Sequence, residues 1–312
     1  MSFAGTLCLV LLAAYGLASL LLSIAVAGLY GAWPVRTRAT SGGLLALRLL
    51  PSAGALFLTL AVVLPAFLSH EPNRAAEPVG PLLVGLAVFA LLVIGDGMLR
   101  GWRAWVAAAA LLRTCGPANR RCVMAGLNID IVDLPQPMVA VIGAWRPRIV
   151  AAKRVLAACS REEFRQVIGH EAAHIAAHDN LKLLLLLACP DALAWMPAGG
   201  ALTARWRAAA ELEADALATG PDRCKRVALA SALIKVARLS AGAQREFAML
   251  MMPVALDDVE GRVRRLLAPS AAATRTFRLR ILISSALLVA VVMMPLYGFV
   301  QELVEALVAF GR

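Results

Sequence analysis

Residues 161–180 read REEFRQVIGHEAAHIAAHDN, and the local fold they dictate constrains the rest of the chain. Ser160 followed by Glu163 has the pattern of a capping box, and Phe164, Val167, Ile168 and Ile175 recur at helical spacing behind it. His170, Glu171 and His174 therefore form an HExxH pattern on a helix. Side chains at i and i+4 share a face about 6 Å apart along the axis, so both imidazoles can converge on one zinc ion. Glu171 points to a neighbouring face, where its carboxylate can take a proton from water and later pass it to a leaving amine. Chance is a poor explanation for this cluster, because the chain has four His in 312 residues and three fall within residues 170–178.

A catalytic zinc takes three protein ligands and keeps one open position. Residues 208–218, AAAELEADALA, supply the missing group on a second expected helix. Glu211 and Asp215 are four apart and share a face, so Glu211 can reach the metal while Asp215 hydrogen-bonds a ligand imidazole. The plainer alternative for this stretch is a solvated acidic face. His178 is a rival third ligand, but helical rise puts it ~12 Å from His170, too far for bonds of about 2 Å to one ion. A structural or electrostatic role is expected for it. Arg205 and Arg207 could pair with the acidic residues or stabilise an oxyanion, although a basic juxtamembrane face explains them more simply.

Around this site the chain is too apolar for an ordinary soluble domain. Hydrophobic residues make up 61%, charged residues 16%, and the mean hydropathy is +0.75, which excludes disorder and places the chain in a bilayer. Spanning a core of ~30 Å takes about 20 apolar residues, and four runs qualify: 7–33, 49–68, 81–99 and 281–300. Residues 1–113 are expected to form three membrane helices, 114–276 a metallopeptidase domain, and 277–312 a fourth helix and tail. Arg36, Arg38 and Arg48 follow the first run without an acid, whereas Arg74 lies between Glu71 and Glu77 after the second. The positive-inside rule then puts the N-terminus outside and the large domain at the cytoplasmic face of the inner membrane. The net charge of +11 suits anionic lipid; its dispersed arginines form no nucleic-acid motif. Six cysteines without a CxxC pair read as reduced thiols. Asp96, near the end of the third run, is expected to pair with a nearby Arg. Residues 181–202 are almost long enough to span, but a single crossing would separate Glu211 from His170, so a shared metal requires the segment to return.

In order along the chain, HExxH, the Asp at Asp179, a hydrophobic segment and the ExxxD block from Glu211 to Asp215 resemble the membrane gluzincin zinc metallopeptidases. The resemblance is strongest to the family of the bacterial beta-lactam receptor-transducers of the Bla and Mec systems, and more distant to HtpX-like and CAAX prenyl endopeptidases. Residues 133–156, DLPQPMVAVIGAWRPRIVAAKRVL, resemble the strand pair that precedes the catalytic helix there. Pattern and resemblance together make Met138, Val139, Ala140, Val141, Ile142 and Gly143 a cleft-lining edge strand able to hold an extended substrate, with an interior strand as the alternative.

The resemblance implies a mainly α membrane protein of about four transmembrane helices, with a cytoplasmic α+β zincin-like domain inserted between the third and fourth. It implies one zinc per chain and hydrolysis of protein or peptide substrates. Regulated cleavage of a repressor or other regulatory protein, membrane-protein quality control, and a non-proteolytic zinc-containing regulator are the readings it leaves open. The receptors continue into a penicillin-binding domain, whereas this sequence ends twelve residues after residue 300, so direct beta-lactam sensing is not expected.

Overall fold

The computed structural model describes residues 3–32, 40–70, 80–115, 120–124, 126–134, 136–247 and 259–268. The fourth apolar run, 281–300, lies outside the described residues. The chain divides into two compact units. One gathers residues up to 101 together with 186–206; the other gathers 102–185 and the described residues from 207 onward.

The first unit is built on α1 (Phe3–Ala32), α2 (Ser41–Leu58), a π-helical turn (Thr59–Val63) leading into α3 (Leu64–His70), and α4 (Pro81–Thr114). Three stretches, Phe3–Ala32, Ser41–Leu68 and Pro81–Thr114, are long and apolar enough to cross a membrane. They cover the first three expected runs up to residue 32 of the first, and each begins earlier or ends later than its run. The second stretch starts early because Thr40 caps it, its hydroxyl accepting from the Gly43 N–H at 3.2 Å. Small residues let these helices approach: Ala18, Ala55 and Ala90 are buried with Tyr15 and Leu58. A Cβ on Gly16 would sit 2.6 Å from the Leu86 carbonyl oxygen, so α1 and α4 need glycine there.

Asp96 does pair with a nearby arginine, Arg100, at 2.9 Å one turn along α4, and it also accepts from Trp195 Nε1. A second ion pair was not readable from the sequence: Arg48 Nη1 reaches Asp191 Oδ2 at 2.7 Å, with both side chains buried. Ser52 donates to the same oxygen, Tyr15 donates to the Pro190 carbonyl, and Arg100 donates to the Cys189 carbonyl. Low-dielectric surroundings make unpaired charges costly, and here each has a partner. The segment anchored by these bonds is not one continuous helix. Its first helix, α7 (Asp179–Ala188), has 10 residues and so spans about 15 Å, half a bilayer core. A 3-10 turn (Ala192–Trp195) then leads into α8 (Pro197–Thr219).

The second unit contains a four-stranded sheet of β1 (Arg120–Met124), β2 (Leu127–Val132), β3 (Val139–Ile142) and β4 (Arg148–Ala152), in the order β1-β2-β4-β3. β2 and β4 run parallel, and the other pairs are antiparallel. β3 is thus an edge strand, and the β1–β2 hairpin is an element the sequence did not announce. Alternation along β2 and β4 separates two cores. Ile129, Ile131, Ile149 and Ala151 meet Phe164 and Ile168 of α6 (Arg161–Ala177), whereas Val132, Val150 and Ala152 meet Cys115 and Val155. Val155 lies on the short α5 (Lys153–Ala158). After β3 the chain turns at Gly143, whose φ of 100° and closeness to the Arg146 carbonyl exclude a side chain. All six cysteines are free.

The capping box forms as its spacing predicts, with Ser160 and Glu163 satisfying each other's backbone N–H groups. Glu163 does more than cap. Its carboxylate also accepts from Ser231 and Lys235 of α9 (Arg223–Phe247), clipping the start of α6 to that helix. Burial alone would raise its pKa, but the bonds from Lys235, Ser231 and the Ser160 N–H outweigh it and hold the acid at about 2. An acid depressed on folding contributes stability above its unfolded pKa, about 4.3, and loses it as pH falls through the folded value. Glu163→Gln should therefore lower stability by about 1–3 kcal/mol at neutral pH. The gap in melting temperature to wild type, measured in detergent, should narrow between about pH 4.5 and 2; a gap independent of pH would contradict the charge-based account.

Candidate metal centre and active site

His170 and His174 project from successive turns of α6 toward Glu211 of α8. Their Nε2 atoms lie 3.1 Å apart, His170 Nε2 lies 3.3 Å from Glu211 Oε2, and His174 Nε2 lies 3.6 Å from Glu211 Oε1. Donors bonded at 2.0–2.1 Å to one tetrahedral ion stand about 3.3 Å apart, so this donor set fits a divalent metal. Among the described residues these three form the one His/Cys/Asp/Glu group with metal-binding spacing.

Each imidazole is backed by a carboxylate. Asp215 Oδ1 lies 2.9 Å from His170 Nδ1, and Asp179 Oδ2 lies 2.8 Å from His174 Nδ1. A carboxylate at Nδ1 favours the proton there and turns the Nε2 lone pair toward the metal position. Asp179 reaches back because α6 ends at His178, which adopts the left-handed conformation at φ 56°. In an unbroken helix a residue five positions on would face away from His174. His178 makes this turn and stands outside the metal group.

Glu171 is buried, which raises its pKa, and its Oε2 accepts from the Val141 N–H at 3.0 Å. Asn180 donates to the carbonyls of Val141 and Gly143, at 2.9 and 3.1 Å. This narrows the expectation for residues 138–143. Main-chain groups of Ala140 and Ile142 face β4, the Met138 carbonyl accepts from Ala152, and those of Val141 and Gly143 are engaged by Glu171 and Asn180. The outward main chain of Val139 is the part of that edge directed, by strand alternation, to the same side as Val141.

The residue that sequence reasoning missed is Arg262, on α10 (Val259–Leu267). Its Nε and Nη2 bond both oxygens of Asp215, at 2.9 and 2.6 Å, and its Nη1 reaches Glu211 Oε2 at 2.8 Å. The cation that binds both acids is therefore Arg262; for Arg205 and Arg207 a basic juxtamembrane face is the simpler expectation and pairing with the acids the alternative. Leu266 of α10 anchors it by packing with Val167 of α6 and Leu229 of α9. Nothing in the VEGRVRRLL run distinguishes this arginine from its neighbours, and Asp215 is 47 residues away.

Electrostatics follow from these contacts. Burial pushes the His170 pKa down, but Asp215 and Glu211 outweigh it and raise it to about 9. Glu211 and Asp215 are lowered despite burial by His170 and Arg262, and Asp179 by His174 and Lys182.

Residues 82–266 match the family described as BlaR1 peptidase M56, a span covering more than half of the chain and reaching from α4 to α10. The chain belongs to this peptidase family. The M56 match bears out the resemblance to the Bla and Mec receptor-transducers, and with the apolar helices it makes the chain a membrane-associated metallopeptidase-family protein. No curated protein and no solved structure matches the chain. In this M56 peptidase the matched span includes His170, His174, Glu211, Asp215 and Arg262.

If Asp179 orients His174, then Asp179→Asn should weaken divalent-metal affinity by about 10–100-fold, whereas His174→Ala should abolish stoichiometric binding. Metal content after equilibrium dialysis against graded metal concentrations measures both. Wild-type affinity in Asp179→Asn would remove the orienting role.

Proposed function

We propose that this M56 peptidase is a zinc endopeptidase that hydrolyses peptide bonds of protein substrates at the cytoplasmic membrane face, in regulated proteolysis. The observation that carries the reading is the convergence of His170, His174 and Glu211 at zinc-ligand spacing beside a buried Glu171. The preference for zinc rests on the His–His–carboxylate donors, a set that suits it. The cytoplasmic placement rests on the basic residues flanking the membrane helices, and the regulatory role on the family resemblance.

When bound, zinc supplies a Lewis acid that polarises the scissile carbonyl and acidifies water. The remaining steps belong to the chain. Val139 on the edge of β3 offers main-chain groups that align an extended peptide. Glu171, steadied by the Val141 N–H through Oε2, receives the proton of the attacking water and returns it to the departing amide nitrogen. Its burial suits this work, because a carboxyl raised above its ordinary pKa holds the transferred proton more readily. Asp215 and Asp179 keep the two imidazoles in place through the cycle.

Glu171→Gln provides the test, with the full-length protein in detergent and a mixed peptide library as substrate. The variant should keep one zinc per chain and lose hydrolysis by about 10²–10⁴-fold or more. Undiminished cleavage by the metal-loaded variant would contradict the assignment of Glu171. A zinc-loaded wild type that cuts nothing would favour a non-proteolytic regulator. Proteins that accumulate in cells carrying Glu171→Gln would identify the substrates.

A further inference from the structure

Arg262 stands beside the metal group without being one of its donors, and its geometry says what it does there. α10 carries three arginines. Arg264 lies exposed and pairs with Glu260 on the same helix, whereas Arg262 is turned inward and is only 12% exposed. All three of its guanidinium nitrogens are engaged by two carboxylates of α8. A planar fork of this kind fixes its partners in relative position as well as in charge, which a lysine ammonium cannot do.

Two roles are open to a cation in this place. It could stand in for the metal, holding the acids while competing for the same electrons. Alternatively, it could hold the acids in the arrangement the metal requires. The distances favour the second. Arg262 makes its bidentate contact with Asp215, the carboxylate behind His170, at 2.9 and 2.6 Å, whereas its Nη2 stands 3.5 Å from the ligand nitrogen His170 Nε2. It also holds Oε2 of Glu211, the oxygen 3.3 Å from His170 Nε2, while Oε1 of that residue stands 3.6 Å from His174 Nε2, so the carboxylate is fixed with both oxygens beside the imidazoles.

We infer that Arg262 is a positioning residue that locks Asp215 and Glu211 together from α10, presetting the third ligand and the imidazole-orienting acid, so that this cation strengthens metal binding. It acts on the metal through those two carboxylates and touches neither metal nor substrate. The inference rests on the metal-site reading above.

The test compares wild type, Arg262→Ala, Arg262→Lys, Asp215→Asn and the Arg262→Ala/Asp215→Asn double variant as full-length protein in detergent. Zn²⁺ affinity is measured by competition with a chromophoric chelator, and ligand geometry by the visible absorption of Co²⁺-loaded protein. Arg262→Ala should bind Zn²⁺ about 10–100-fold more weakly and shift the Co²⁺ bands, with Arg262→Lys between it and wild type. The double variant should lose much less than the product of the two single losses, because both substitutions break one linkage. Unchanged or tighter Zn²⁺ binding in Arg262→Ala would overturn the inference, tighter binding marking a mere stand-in for the ion. Should Arg262→Ala not fold, Arg262→Lys decides alone: weakened binding supports the role, and wild-type or tighter binding overturns it. A wild type that binds no Zn²⁺ overturns the metal-site reading and this inference with it, whereas wild-type binding indifferent to Arg262 overturns the inference alone.

Discussion

The organisation of the second unit depends on one geometric demand, that two imidazoles of α6 and one carboxylate of α8 meet within 3.1–3.6 Å. His174 and Glu211 are separated by a strongly apolar stretch, and only a chain that leaves and comes back can bring them together. A ten-residue α7 and a 3-10 turn meet that demand, being too short to carry the chain across a bilayer. The same stretch carries Asp191, which ends in a buried pair with Arg48. Part of the apolar composition of this segment is buried, at Leu186, Ala192, Leu193 and Leu202, while Leu185 and Trp195 stay exposed.

Charge explains much of the rest. Glu171, Glu211, Asp215 and Asp179 surround two imidazoles, and the cations that answer them are Arg262 and Lys182. Four acids gathered this closely, two buried and two half-buried, are costly without compensating positive charge. Among the side chains the compensation comes from Arg262 and His170, which is why Glu211 and Asp215 are driven down and His170 is driven up. A divalent ion supplies the same compensation in a form that can also polarise a carbonyl.

What the sequence disclosed were the features set by local spacing. The capping box, the shared face of His170 and His174, the Glu211–Asp215 pair and the Asp96–Arg100 contact all lie within one helical turn, where backbone geometry leaves little choice. Placing β3 at an edge drew on the resemblance of residues 133–156 to a known strand pair as well as on pattern. The β1–β2 hairpin escaped notice because RRCVM is short and its basic half gives no clean alternation. Asp179 could be matched, but its contact with His174 depends on a left-handed His178 that pattern alone does not foretell. Arg262 and the Arg48–Asp191 pair join residues 47 and 143 positions apart, and no periodicity links them.

The most direct measurement of the central claim is X-ray absorption at the zinc edge of the zinc-loaded full-length protein. The account predicts nitrogen and oxygen scatterers at about 2.0–2.1 Å from the zinc, the outer scattering pattern of two imidazoles and no sulfur. Sulfur near 2.3 Å, or a spectrum with at most one imidazole, would contradict it.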